Sequence, residues 1–421
     1  MGTLSRFLCF GLLITLVSVF TRVGSAQTAL TWEEVRERFE INNPSLRAGQ
    51  LGIDESKASE ITAYLRPNPT GTILADQIDP FPGGPSHGPF SFLLTSASVS
   101  YLHERRHKRE LRLESAKEGT DIAVSGQADL DRTLLFELRG AFVQTLQARA
   151  NLGLARDDLN YYDHFLALNR ERYKAGGIAK IDLQRLELQR VQYESDLQTA
   201  EVNLITAKVQ LLMLLNDGTN VDQFDVTGPY DFANRIPPRD EVRQAALDAR
   251  PDLRAALQAV IKAKTDHRLA IADGSTDPTF ALDVGRNPPI DQYVGVSVSV
   301  PLRFFDRNQG EKLRTKIDVD RNQRLMEAAK AQVLSDVDIA HATLNSAIQL
   351  LQPYKDQYLQ QATEVRDSVE FAYQHGAASL LDYLNAQADY RSVQVNYLNL
   401  VGSYLTAASQ LNLAVGREVI P

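Results

Sequence analysis

Two stretches of this chain match each other at a fixed offset. ERYKAGGIAKIDLQRL at 171–186 and FAYQHGAASLLDYLNA at 371–386 align Tyr173 with Tyr373, Gly176 with Gly376 and Asp182 with Asp382, 200 residues apart. Helical periodicity flanks both copies. A glycine for backbone freedom, then an aspartate opening the next helix, is the punctuation of a helical hairpin. A second match, at an offset of 207, pairs TWEEVRERFEINNPSLRAG (31–49) with PRDEVRQAALDARPDLRAA (238–256). Each reads as a short helix, a break at Asn-Pro or Arg-Pro, and a second helix, with Thr31 and Glu34 forming a capping box in the first. Whatever this chain folds into must be built twice.

Between these matches the period changes. PTGTILADQID (69–79) and FSFLLTSASVSYL (90–102) flank the turn-rich PFPGGPSHGP (80–89), while PTFALDVGRN (278–287) and QYVGVSVSVPL (292–302) flank NPPID (287–291). Val294, Val296, Val298 and Val300 alternate with Gly295, Ser297 and Ser299, so this strand has one apolar face and one small or polar face. Strands of about ten residues suit a tilted crossing of the hydrocarbon core. After residue 26 no apolar run approaches the ~20 residues of a spanning helix, so any membrane crossing would be a β-barrel. Four strands do not close a barrel alone, and closure must come from further copies of the chain.

Helical pattern dominates the rest. It runs over 104–172 and 304–372, interrupted by no proline except Pro353; at 1.5 Å per residue each arm would reach roughly 100 Å. The returning arms follow strict 3,4 spacing at 183, 186, 190, 193, 197, 200, 204, 207 and 211 and at the same positions plus 200; 17 of these 18 residues are apolar or aromatic, Arg190 being the exception. That is a coiled-coil seam over several heptads. The chain therefore divides into a leader (1–26), a first repeat (27–216) with a strand pair at 69–102 and a hairpin at 104–216, a turn-rich linker (217–238), a second repeat (239–416) with a strand pair at 278–302 and a hairpin at 304–416, and a tail (417–421). The fold class is mainly α with a β-barrel portion.

The leader reads as a secretory signal peptide: Arg6, the apolar run Phe7–Phe20, and the small residues Gly24, Ser25 and Ala26. Its Cys9 is the only cysteine of the chain, so no disulfide is expected after processing. The net charge is −8, and removing two leader arginines leaves −10, a balance that argues against nucleic acid. The basic run HERRHKRELR (103–112) is expected at the inner rim of the barrel. His103 and His107 have the spacing of one helical face, but no third ligand completes a metal site. No phosphate loop, nucleophile elbow or other catalytic constellation is present, so no enzymatic activity, cofactor or metal is expected.

This plan, with its paired turns, resembles the TolC-like outer-membrane efflux factors over essentially the whole mature chain. FFDRNQGEKLR (304–314) is similar to a Phe-Asp-Arg-Asn-Gln-Gly signature of the branch serving heavy-metal resistance pumps. The resemblance implies a homotrimer in outer-membrane lipid, with a twelve-stranded barrel continued by a helical tunnel through the periplasm. Its partners would be a periplasmic adaptor and an inner-membrane pump. Tyr373 would hydrogen-bond Asp182 to close a gate at the helical tip. Asp382 would contribute an acidic ring, which Asn385 leaves less charged, and Ala378 replaces a basic partner common in the family. For Asp182 and Asp382, helix capping and gating both stand open. Gly176, Gly177, His375 and Gly376 would form the turns that meet the adaptor. Asp306, Arg307, Asn308, Gln309 and Gly310 would serve the strand-to-helix junction. The competing reading is a periplasmic coiled-coil scaffold or adaptor that never spans a membrane.

Overall fold

The computed structural model describes residues 29–78, 80, 81 and 88–420. The leader with Cys9, most of the 80–89 turn with His87, and Pro421 lie outside the described residues. Each half opens with two helices, α1 (Trp32–Asn42) and α2 (Pro44–Tyr64), then α5 (Arg239–Ala249) and α6 (Pro251–Asp273). Thr31 and Glu34 form the expected reciprocal capping box. Asn43 caps α2 through the amides of Ser45 (2.9 Å) and Leu46 (3.2 Å). Its side-chain amide donates to the Leu214 carbonyl at 3.1 Å, fixing α2 to the far end of the first hairpin. Proline occupies the first turn of α2 and α6, where its missing N–H costs nothing.

Four strands follow: β1 (Thr70–Asp76), β2 (Leu94–Leu102), β3 (Thr279–Asn287) and β4 (Ile290–Ser299). They form one antiparallel sheet in the order β1-β2-β3-β4, joining the two halves through β2 and β3. The register puts Ile73, Ala97, Val284 and Val294 in one row and Val99, Leu282 and Val296 in the next. One face is therefore apolar and bare: Ile73 is 89% exposed and Val296 78%. The other carries Thr72, Ser96, Ser98, Ser100, Asp283, Gly295, Ser297 and Ser299. Among the described residues β1 and β4 end the sheet as open edges. β4 starts two residues before the expected position because Pro288 and Pro289 alone make the turn.

The first long helix, α3, spans Lys108–Lys174, 67 residues or roughly 100 Å. It starts four residues later than its periodicity suggests, because Arg106 and His107 adopt left-handed backbone (φ 60° and 55°). Its counterpart starts at Gln309 for the same reason, after Asn308 (φ 59°). This counterpart breaks where Pro353 supplies no N–H: α7 (Gln309–Pro353) passes through a wide π turn, Tyr354–Tyr358, into α8 (Leu359–Gln374). The returning helices are α4 (Lys180–Leu215) and α9 (Leu380–Val415), stopped by left-handed Asn216 and Gly416. None of the 18 seam positions is exposed. Even Arg190 is accommodated, its guanidinium bound to Asp163 and Glu194.

Core residues form three clusters. One joins α5, α7 and α9, a second joins α1, α3 and α4, and a third lies near the hairpin turns. Residues 217–238 are more than the loose linker their turn formers suggest. Phe224, Val226 and Phe232 are buried, and Val226 bridges to Leu30 in a single parallel pairing. Apolar side chains at every few positions make this segment a strap across both halves.

Candidate functional site

Both hairpin turns are built from the same hydrogen bonds. Gly176 and Gly376 have φ of 75° and 76°, a conformation that strains any residue with a Cβ. Around them Gly177 N donates to Arg172 O (2.7 Å) and Gly176 N to Tyr173 O (2.9 Å), and Ala377 N donates to Ala372 O (2.8 Å) and Gly376 N to Tyr373 O (3.1 Å). These are paired Schellman closures, which satisfy the carbonyls a helix leaves open at its end. Gly177 has no left-handed backbone. His375 closes α8; its Nδ1 lies 2.8 Å from the Phe371 carbonyl and its ring 4.0 Å from the Phe371 ring. Phe371, Ile181 and Leu381 are exposed beside the turns.

The aspartates sit three residues inside the returning helices rather than at their caps. Asp382 completes a capping box with Ser379, whose hydroxyl and amide hold its carboxyl below the usual carboxylate range. Ala179 stands where Ser379 does, so the half-buried Asp182 has no such partner. Asn385 lies one turn further on, and Ala378 packs against the apolar cluster at the tip.

Tyr373 does not bond Asp182. Its hydroxyl donates to Asn169 Oδ1 at 3.1 Å, and Asn169 Nδ2 in turn donates to the Phe165 carbonyl at 2.9 Å. Asn169, on the last turns of α3, lies across from α8, whereas Asp182 is set back in the first turn of α4. Burial raises the Tyr373 hydroxyl above its ordinary range, with the nearby Asp182 charge adding to that and Arg172, over the ring at 5.2 Å, opposing it. Around it the rings interlock: Phe165 stacks on Tyr383 at 4.0 Å and Tyr162 on Tyr193 at 4.4 Å. Further from the turns, Arg391 of α9 joins Asp158 of α3 (3.2 Å) and Asp196 of α4, with its guanidinium 4.2 Å above Tyr193. Aromatic and ionic contacts thus bind the two hairpins of one protomer together at this end. Sequence reading missed Asn169, because its counterpart in the other repeat is Val369 and a repeat comparison discards such a position.

At the other end of the long helices, part of the basic run 103–112 is paired within the fold. Lys108, 4% exposed, places Nζ 2.6 Å from Asp277 and 3.1 Å from the Ser275 carbonyl. Arg105 binds Thr276 through its guanidinium and Asp277 through its amide, while Arg112 forks onto Glu104 at 2.6 and 2.8 Å. These bonds tie the start of α3 to the segment entering β3. His103 and His107 share no helical face: both precede α3, and His107 is left-handed. Among the described residues no group of three His, Cys, Asp or Glu side chains could hold a metal ion.

The matching junction after β4 is a knot of short-range bonds. Asp306 accepts from the Asn308 amide (2.8 Å), Gln309 Oε1 accepts from the Arg307 amide (2.8 Å), and Gln309 Nε2 donates to the Phe305 carbonyl (3.1 Å). Asn308 Nδ2 reaches the Ala270 carbonyl of α6 at 2.8 Å. Gly310 lies inside α7, where a side chain would meet nothing.

A family described as Outer membrane efflux protein matches residues 242–417, most of the second repeat. The cobalt-zinc-cadmium resistance protein CzcC of Cupriavidus metallidurans is 23% identical over 410 residues, 96% of this chain and 93% of its own length. The match and this relative bear out the resemblance to outer-membrane efflux factors. The pyoverdine export outer membrane protein OpmQ of Pseudomonas aeruginosa is 24% identical over 385 residues, 89% of this chain and 77% of its own. Solved structures agree on the fold. CusC superposes with a TM-score of 0.77 at 16% identity, covering 91% of this chain and 92% of its own. The outer-membrane channel OprN gives 0.76 at 17%, covering 91% and 89%. The matching family and the relative OpmQ are outer-membrane proteins of efflux or export, in line with the exit duct expected here.

Proposed function

We propose that three copies of this chain close their sheets edge to edge into a twelve-stranded barrel. The duct so formed would passively export small solutes delivered by an inner-membrane pump and a periplasmic adaptor. The observation that carries this reading is the four-stranded sheet: one face bare and apolar, the other carrying Ser, Thr, Gly and Asp283, and both edges unpaired among the described residues. In lipid an unpaired edge costs several kcal/mol per backbone group, so such a sheet is stable only when closed. A periplasmic scaffold would leave Ile73, Val294 and Val296 in water with nothing to cover them, and the duct reading is preferred for that reason.

The closed state of the duct would be set at the helical tip. There the Tyr373–Asn169 bond and the Arg391 bridge hold the hairpins of each protomer together, and Asp182, Asp382 and Asn385 would line the constriction. The turns at Gly176, Gly177, His375 and Gly376, with exposed Phe371, Ile181 and Leu381 beside them, would meet the adaptor. For cargo, the chain-long similarity to a cobalt-zinc-cadmium resistance protein supports divalent transition-metal cations. Deleting the gene should lower the tolerated concentration of cobalt, zinc or cadmium, and the intact gene should restore it. Unchanged metal tolerance, with lost export of a siderophore or drug instead, would contradict the cargo.

A further inference from the structure

Four charged residues fall within the strands: Asp76, Asp283, Arg286 and Asp291. Asp76, Arg286 and Asp291 lie within two residues of the strand ends opposite the long helices, where water and headgroups accept charge. Asp283 does not. It is the central residue of the nine-residue β3, on the polar face, directly across from Ser98 of β2 and Gly295 of β4. A methyl group on Gly295 would sit 2.7 Å from both Asp283 carboxylate oxygens, so the carboxylate lies flat over that glycine. No cation among the described residues meets it. Arg286 stands on the other face and lies 3.7 Å from Asp291. A carboxylate left without a counter-ion at the middle of a membrane strand is stable only if water reaches it, so this face must line an aqueous path.

We propose that Asp283 is a charge-selecting residue of the barrel lumen: three copies form a carboxylate ring at mid-membrane depth that favours cations over anions. This rests on the trimeric duct reading. The mechanism is electrostatic and short-ranged. Acidic rings raise the local concentration of cations, and screening confines the effect to about 10 Å at 0.1 M salt and about 3 Å at 1 M. The ring therefore biases passage without binding cargo tightly, as a duct that must release its load requires. The serines around it offer hydroxyls and no competing charge, and Gly295 keeps the carboxylate against the wall, clear of the path.

The test uses single-cysteine variants of the full-length chain, whose sole native cysteine, Cys9, lies in the leader. Ser98→Cys puts a thiol beside Asp283; Val99→Cys puts one on the apolar face. Intact cells are treated from outside with cationic and anionic methanethiosulfonate reagents, so the tip does not control access. The Ser98→Cys thiol is expected to react faster with the cationic reagent at 0.1 M salt. Adding Asp283→Asn should shrink that rate ratio about threefold, as should 1 M salt, and the Val99→Cys variant should stay unlabelled. An unchanged ratio with Asp283→Asn, or labelling of the Val99→Cys variant in place of the Ser98→Cys variant, would overturn the proposal. Failure of the duct reading itself would show separately, as absence of a heat-modifiable trimer band from the outer-membrane fraction.

Discussion

Tyr373 carries more at the tip than its place in a repeated turn suggests. Its hydroxyl reaches Asn169 from α8 to α3, a neutral hydrogen bond between buried groups worth about 1 kcal/mol. Tyr373→Phe removes it while keeping the ring beside the stacked Phe165 and Tyr383. The expected result is a protein that still trimerises but opens more often, with higher mean conductance in a planar bilayer; Asn169→Ala should do the same, and Asp182→Ala should not. Equal conductance in Tyr373→Phe and wild type would remove this bond from the gate. The turn glycines were legible in the sequence, because positive φ demands glycine and both copies supply it. Asp382 was legible as a helix-start residue but not as the inner member of a capping box, since Ser379 alone decides that and the other repeat has Ala179 in its place. Asn169 was not legible: a single polar residue on a long apolar stripe has no signature until its partner is seen.

At the scale of elements, the long helices and their returning seams could be read from spacing alone. Their starts could not, because His107 and Asn308 take left-handed backbone, in segments tied to Asp277 through Arg105 and to Ala270 through Asn308. The basic run illustrates the same limit. The run is expected at the inner rim of the barrel, at headgroup level or solvating a helix start; Lys108 is buried and, with the exposed Arg105, fixes the start of α3 against the entry to β3. Lys108→Met would leave Asp277 without its cation, an uncompensated charge of the kind that costs about 3 kcal/mol. Thermal unfolding should shift down measurably, and Lys108→Met with Asp277→Asn should recover much of the loss. A Lys108→Met protein as stable as wild type would mean that this pair does not hold sheet and helices together.

For the whole molecule, acid sensitivity follows from its ion pairs. Hydrogen bonds from Arg239 and Arg243 hold the Asp338 carboxyl far below its ordinary range. Burial pushes Asp252 and Asp277 up, but Arg250 and Lys108 more than offset it, leaving both lowered. A carboxyl depressed in the folded state stabilises it above the unfolded value of ~3.9 and loses that contribution as pH falls further. Asp158, raised by burial despite Arg391, runs the other way and softens the loss. Melting temperature should therefore hold from pH 7 to about 5 and fall below about 4, less steeply in Asp338→Asn; a flat profile down to about pH 3 would contradict the assignment. The duplicated plan and the two-faced strands were readable at this scale because both are periodic. The strap at 217–238 was hidden, because buried residues spaced irregularly along a turn-rich segment look like any loop.

The duct stands or falls on whether the open edges of β1 and β4 are closed by other copies of the same chain. Electron cryomicroscopy of the full-length protein, extracted from outer membranes into lipid nanodiscs, tests this directly. The expected density is threefold, with twelve strands in the disc and a helical tunnel extending roughly 100 Å to one side. A single copy, or a particle whose sheet lies outside the lipid, would contradict it.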